Sequence, residues 1–343
     1  MKNQKFTGSH LLLLIMAAFI SCNESKTEEV ITGTNAEDSI NSPVTNVKSN
    51  VLDTVLYNQM LTSMSNNDTN NLWPVKTAYP LPGAILPFNR IVAYYGNLYS
   101  TRMGILGEFP KDSMFNRLKE EVANWQAAEP ELPVLPALHY IAVTAQLAPG
   151  KDGKYRMRMP FHQIDTIMNW AKEINALVFV DIQIGHSSLG EEVPQLEKYL
   201  SQPGVHLGID PEFAMQAGVA PGKRIGTFDA KDINVAIDYL AELVRKNNLP
   251  PKMLVIHRFT QGMVTNYKEI KTVPEVQIIM DMDGWGDKVL KRSTWLRYIY
   301  REPVQFAGFK IFYKNDTKKD KNGLYQPEEL VKFTPKPLYI QYQ

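Results

Sequence analysis

"RIVAYYG" (90–96) reads as a buried strand, and the helix pattern "KDSMFNRLKEEVANWQ" (111–126) follows it after a short loop. The same succession then repeats along the chain. "LPALHYIAV" (135–143) precedes "HQIDTIMNWAKEIN" (162–175), where Ile164, Ile167, Met168, Ala171 and Ile174 keep helical spacing. "LVFVDIQIG" (177–185) precedes "EEVPQLEKYLS" (191–201), whose helix is expected to start at Pro194. "VHLGIDPEF" (205–213) is the fourth strand, and its helix has Asp229 as N-cap with Ile233, Ala236, Ile237, Leu240 and Val244 on one face.

The second half keeps the plan. Strand patterns at 252–260, 276–284, 304–313 and 337–342 alternate with helical or helix-like segments near 263–270, 287–302 and 326–333. Several strands are apolar on both faces, as a sheet covered on both sides requires. Alternation implies parallel pairing, and eight units are the number that closes a (β/α)8 TIM barrel, an α/β fold. The competing doubly wound sheet lacks support, because "YYGNLYSTRMG" (94–104) carries no dinucleotide fingerprint.

In such a barrel the functional groups stand at the C-terminal ends of the strands. Those ends offer Tyr94 and Tyr95; His139; Asp181, Gln183 and His186; Asp210 and Glu212; His257 and Arg258; Asp281 and Asp283; and Lys310. Five carboxylates thus converge on one rim. The side-chain period of a strand places Asp210 with Glu212, and Asp281 with Asp283, on shared faces. Acids buried together share protons, bind a cation or meet a positive group. An ion-pair network with Arg258 and Lys310 is the structural alternative. Crowding raises carboxyl pKa values and suits one group to general-acid work, the equipment of glycoside hydrolysis.

The Asp-x-Glu at 210–212 resembles the fourth-strand signature of chitinase-type and lysozyme-type barrel glycosidases, and "IIMDMDGWG" (278–286) is similar to the Met-x-Tyr-Asp strand of the chitinase type. That resemblance implies Glu212 as the acid, with Asp283 in place of the family's strand-six Asp. The chain departs from the pattern at Met282, where the family has tyrosine, in the missing Asp-rich lead and in an eighth strand without tryptophan. Beside it, Asp210 is expected to tune Glu212, Asp281 or Asp283 to stabilise positive charge or orient a water, and Asp181 to support them. Tyr94, Tyr95, His139, Gln183, His257, Arg258, Trp285 and Lys310 are expected to line sugar sites, with Trp285 as the stacking candidate.

Two other functions compete. His139, His186 and His257 with the carboxylates suggest a metal-dependent hydrolase, but no His-x-His follows the first strand and no HExxH occurs, so no metal or other cofactor is expected. A non-catalytic glycan-binding lipoprotein on the same scaffold is the other. A serine hydrolase has less support still, since no G-x-S-x-G occurs.

A formal net charge of +1 on 343 residues argues against a nucleic-acid partner, which needs a basic surplus. The N-terminus reads differently from the rest. A lysine-bearing tip, the apolar run "LLLLIMAAFI" (11–20) and "SC" make residues 1–21 a signal peptide too short to span a membrane. Cys22, the only cysteine, resembles the lipidated residue of the bacterial lipoprotein lipobox, with Phe19 where leucine is usual. This resemblance implies an acylated (palmitate-type) membrane anchor in the cell envelope. Residues 22–75 are expected to be a flexible linker, its first part rich in Ser, Thr, Asn and Glu, with 51–62 either a docked helix or unstructured. The barrel domain is then expected over 76–343.

Overall fold

The computed structural model describes residues 51–216 and 218–343. Cys22 and the expected signal peptide lie outside them. No helix among the described residues is long and apolar enough to cross a membrane.

Eight parallel strands form one closed barrel: β1 (Arg90–Gly96), β2 (Val134–Ala145), β3 (Leu177–Ile182), β4 (Val205–Ile209), β5 (Lys252–Arg258), β6 (Val276–Met282), β7 (Phe306–Ile311) and β8 (Tyr339–Tyr342). Each strand pairs with its neighbours in sequence, and β1 closes the ring by pairing with both β2 and β8. The expected TIM barrel is therefore the fold. All residues of β1, β3, β4, β5, β6, β7 and β8 are buried, which explains their continuous apolar runs.

The register sets which residues point inward. Tyr95 stands beside His139, His139 beside Phe179, Asp181 beside Gly208, and His257 beside Asp281. Paired residues share a face, so each of these pairs stands on one side of the sheet.

The helices follow the sequence with instructive exceptions. The clearest, α2 (Ala230–Asn247), starts at a capping box: Asp229 accepts from Lys231 N, and Asp232 accepts from Asp229 N. Its Ile233, Ala236, Ile237, Leu240 and Val244 are all buried. Residues 189–200 instead form three short turns broken at Pro194, and 261–269 form two 3-10 turns around a two-residue strand, Val264–Thr265, that pairs with Phe228–Asp229. In the last third of the barrel, α3 (Lys288–Thr294) runs into a π-helical turn over Trp295–Tyr300.

Residues 51–75 are not a free linker. Helix α1 (Thr54–Ser65), capped by Asp53 on Leu56 N, buries Tyr57 and Met64. Lys336 N donates to Met64 O at 2.8 Å, and Asn66 Nδ2 to Phe333 O at 3.1 Å. Trp73 is buried, with Nε1 donating to Tyr300 O at 3.1 Å. The packed body thus begins before residue 76. The reason is apolar: a mildly amphipathic helix and one tryptophan gain more by burial than by exposure.

One addition was not legible beforehand. β2 overshoots the barrel rim, and Val143–Ala145 pair antiparallel with Arg156–Arg158. Glu192 holds this flap by accepting from Arg156 Nε and Arg158 Nε, both at 2.7 Å.

Candidate active site

At the C-terminal end of the strands lies a cleft of about 690 Å³. Seven expected residues line it: Tyr95, Gln183, Asp210, Glu212, Asp283, Trp285 and Lys310. Trp285 is 53% exposed at the cleft rather than filling a core, with Lys318 Nζ 5.3 Å from its ring centroid.

Glu212 reaches the cleft by a route other than strand alternation. β4 ends at Ile209, and Asp210 caps a 3-10 turn over Pro211–Phe213, its Oδ1 accepting from Glu212 N at 3.1 Å. Pro211 pre-sets that turn and needs no ladder partner. The returning loop locks it: Gly226 N donates to Glu212 O at 2.7 Å. A Cβ on Gly226 would lie 2.5 Å from the carbonyl oxygens of Pro211 and Ala214, so only glycine permits this approach.

Below the cleft floor, His139, Asp181, His257 and Asp281 form a fully buried inward layer. Tyr95 Oη donates to Asp181 Oδ2 at 2.8 Å. His257 Nδ1 lies 3.2 Å from Asp281 Oδ2 and 3.3 Å from Asp283 Oδ2, while its Nε2 lies 3.6 Å from Asp181 Oδ2. Lys310 Nζ sits 3.0 Å from Asp283 Oδ1 and 3.9 Å over the Tyr95 ring.

Two expected site residues face the wrong way. Tyr94 points outward, its hydroxyl 3.1 Å from that of Tyr313 and its ring edge-on to Tyr342. Arg258 also points outward, bonded to Glu302 and to the backbone oxygens of Tyr298, Gln261 and Val264. Each is the strand neighbour of an inward residue, Tyr95 or His257, so the period of two places it on the opposite side. His139, expected to line a sugar site, lies beneath the cleft instead. His186 joins no cluster: Nε2 lies 2.6 Å from Val219 O and its ring packs on Tyr155.

With Arg258 outside, the ion-pair alternative loses half of its cations. Burial first, then the neighbouring Glu212, Asp283 and Asp181 charges, push the Asp210 carboxyl well above the usual range, against the pull of His257. Glu212 is pushed up to about 7, by burial and then by Asp283. Burial raises Asp281 as well, against the pull of His257. Burial opposes charge on Asp181 too, yet His257 and His139 hold it well below the usual range. Against its own burial, His257 is held well above its ordinary value by Asp181, Asp281 and Asp283, whereas burial pulls His139 down to about 4. Five carboxyls therefore meet two cations, His257 and Lys310, and three of the five shift toward holding a proton.

Sequence reasoning missed Arg102 and Met103, from the loop after β1, and the phenylalanines Phe213, Phe259 and Phe312. The phenylalanines had a usable signal, since each stands just past a strand end. Arg102 had none, because its loop has no periodicity.

No protein-family model matches the chain, and no curated protein does. Among solved structures, a hyperthermophilic endo-beta-1,4-glucanase in complex with substrate aligns at 9% identity and TM-score 0.41, over 75% of this chain and 89% of that one. A GH5-4 broad specificity endoglucanase from an uncultured bovine rumen ciliate aligns at 10% identity and TM-score 0.34, over 60% and 73%. A dihydropteroate synthase of Burkholderia cenocepacia aligns at 9% and TM-score 0.34, over 75% and 86%. Likenesses this distant carry no argument about family or activity; the fold rests on the strand pairing itself.

Proposed function

We propose that the cleft cleaves glycosidic bonds, with Glu212 protonating the leaving oxygen. One observation carries this reading. The Glu212 carboxyl is half-buried at an open cleft and has no hydrogen bond or ion pair among the described residues. Its pKa of about 7 leaves it substantially protonated at neutral pH, as a general acid must be. Asp283 supplies the second carboxylate of the pair, held in place by Lys310 and His257. Asp210 fixes the turn that aims Glu212, and Gln183 Nε2 steadies Asp210 by donating to Oδ2 at 3.3 Å. Trp285, Phe213, Phe259 and Phe312 provide the apolar faces on which sugar rings stack. The ligand class is thus a carbohydrate.

The test is release of reducing ends from a panel of bacterial and host polysaccharides, peptidoglycan included, by the parent protein and by Glu212→Gln. Turnover that disappears in the variant supports the assignment; turnover that survives it removes Glu212 from the role.

The Asp283–Lys310 ion pair favours a second reading, because a paired carboxylate is a weaker nucleophile or base. On that reading the protein holds glycans without cleaving them, and the same panel would show binding with no release. The place of action is a further part of the proposal: export and a lipid on Cys22 would put the cleft at the cell envelope, and this rests on residues 1–22 of the sequence alone.

A further inference from the structure

Beneath the cleft, three strands aim unused ligand atoms at one place. His139 Nε2, an Asp181 carboxylate oxygen and a His257 ring nitrogen lie within 4.8 Å of one another. All three side chains are fully buried. His139 Nε2, Asp181 Oδ1 and His257 Nε2 lack any hydrogen-bond partner among the described residues. Buried polar atoms without partners cost free energy and are rare in folded proteins. Three on three converging residues call for an occupant.

The surroundings orient these atoms as a metal site would need. His139 Nδ1 lies 2.5 Å from Tyr339 Oη, which also accepts from Gln341 Nε2 at 2.9 Å. In the tautomer that gives the Nδ1 proton to that oxygen, the Nε2 lone pair points to the centre. His257 Nδ1 faces the Asp281 and Asp283 carboxylates, an arrangement that fixes the ring, and an ion bound at Nε2 would displace the proton that otherwise makes His257 a cation. Tyr95 anchors Asp181 through Oδ2 and leaves Oδ1 free. The spacing agrees as well. His139 Nε2 is 3.7 Å from Asp181 Oδ1, the oxygen that Tyr95 leaves free. Two ligands at about 2.1 Å from a shared ion, subtending about 120°, stand about 3.6 Å apart. Room is kept open by Gly208, whose Cβ would fall 2.4 Å from His139 Nε2 and 2.6 Å from Asp181 Oδ1.

We propose that His139, Asp181 and His257 bind one divalent transition-metal ion of the zinc class. Two imidazoles and a carboxylate are a donor set suited to such ions. The site belongs to the layer below the cleft, so its failure would leave the Glu212 assignment standing, and the reverse.

The test strips the purified protein with a chelator and titrates it with Co²⁺, following the visible d–d absorption, and then with Zn²⁺ as competitor. One equivalent of Co²⁺ with absorption of low-coordinate character, displaced by Zn²⁺, is expected. His257→Gln should weaken binding by at least about a hundredfold, since loss of a mere outer-shell partner already costs 10–100-fold. His186→Gln, a histidine remote from the cluster, should leave binding unchanged. Should His257→Gln fail to fold, X-ray absorption at the zinc edge of the unaltered protein decides, with two imidazoles and one carboxylate oxygen at about 2.0–2.1 Å expected. Absence of binding, binding indifferent to His257→Gln, or an edge spectrum without imidazole would each overturn the proposal.

Discussion

The two ends of the barrel handle buried charge in opposite ways. At the N-terminal end the charged and amide groups find dedicated partners for most of their buried atoms, with Arg90 Nη1 and His206 Nε2 the exceptions. Arg90 donates from Nε to Pro337 O at 3.1 Å and from Nη2 to Glu129 at 2.7 Å, and Lys336 closes on the same Glu129. Lys252 donates to Val205 O at 2.9 Å, and Gln277 caps the backbone of Ile85 and Leu86 from both amide atoms. At the C-terminal end His139, Asp181, His257, Asp281 and Gln341 keep buried atoms without hydrogen-bond partners. One end spends its polar groups on holding the fold, whereas the other keeps them available for chemistry, which is the usual division in this architecture.

The sharpest way to break this contrast is at Glu212. Glu212→Gln should cost about 10²–10⁴ in kcat on the sugar polymer that proves to be the substrate, the range for a lost general acid, while urea unfolding stays near the parent curve. A large stability loss with activity retained would put Glu212 among the structural groups. The opposite pattern is expected at the base. Arg90→Ala should lower unfolding free energy by about 3 kcal/mol, as breaking a buried ion pair does, with kcat unchanged in the folded fraction.

How far the sequence showed this division is instructive. The eight alternating strands were legible, because a parallel barrel buries both strand faces and writes each strand as an apolar run. That same feature hid the side-chain phase. With polar residues on both faces, the string alone does not say that Tyr95 and His257 point in while Tyr94 and Arg258 point out. Asp281 and Asp283 were correctly placed on one face, since β6 is regular up to Met282. Glu212 reaches the cleft by a route other than the expected one: its position depends on a capped 3-10 turn and the approach of Gly226, not on strand alternation. The split between open rim and buried floor was illegible, because it depends on how strand ends stagger around the ring.

Two finer measurements sharpen the comparison. Glu212 has an ordinary pKa of 4.5 and a folded value of about 7, so the folded state binds the proton more tightly. Its stabilising contribution is therefore complete below about 4.5 and lost as pH rises through 7. The Tm should fall between pH 5 and 8, and Glu212→Gln should flatten that slope; kcat/KM should fall on its alkaline limb as pH rises through 7. An unchanged slope in the variant would move the titrating group elsewhere. The smallest effect is expected at Trp285→Ala, about fivefold in KM with kcat preserved, from a stacking contribution of about 1 kcal/mol. An unaltered KM would take Trp285 out of the binding surface.

The pairing of β1 with β8 has a consequence for the birth of the protein. Ile91 and Tyr339 meet across a sequence separation of roughly 250 residues. Until the last strand is available, β1 and β7 each present an unpaired edge, and the inward face lacks Tyr339 and Gln341. A chain emerging from N- to C-terminus must carry those open edges until residues 339–342 have been made, with the loop-closure entropy still unmet. Its exposure to aggregation therefore lasts until β8 can pair, and deletion of 339–342 should leave a chain that collapses without ever closing.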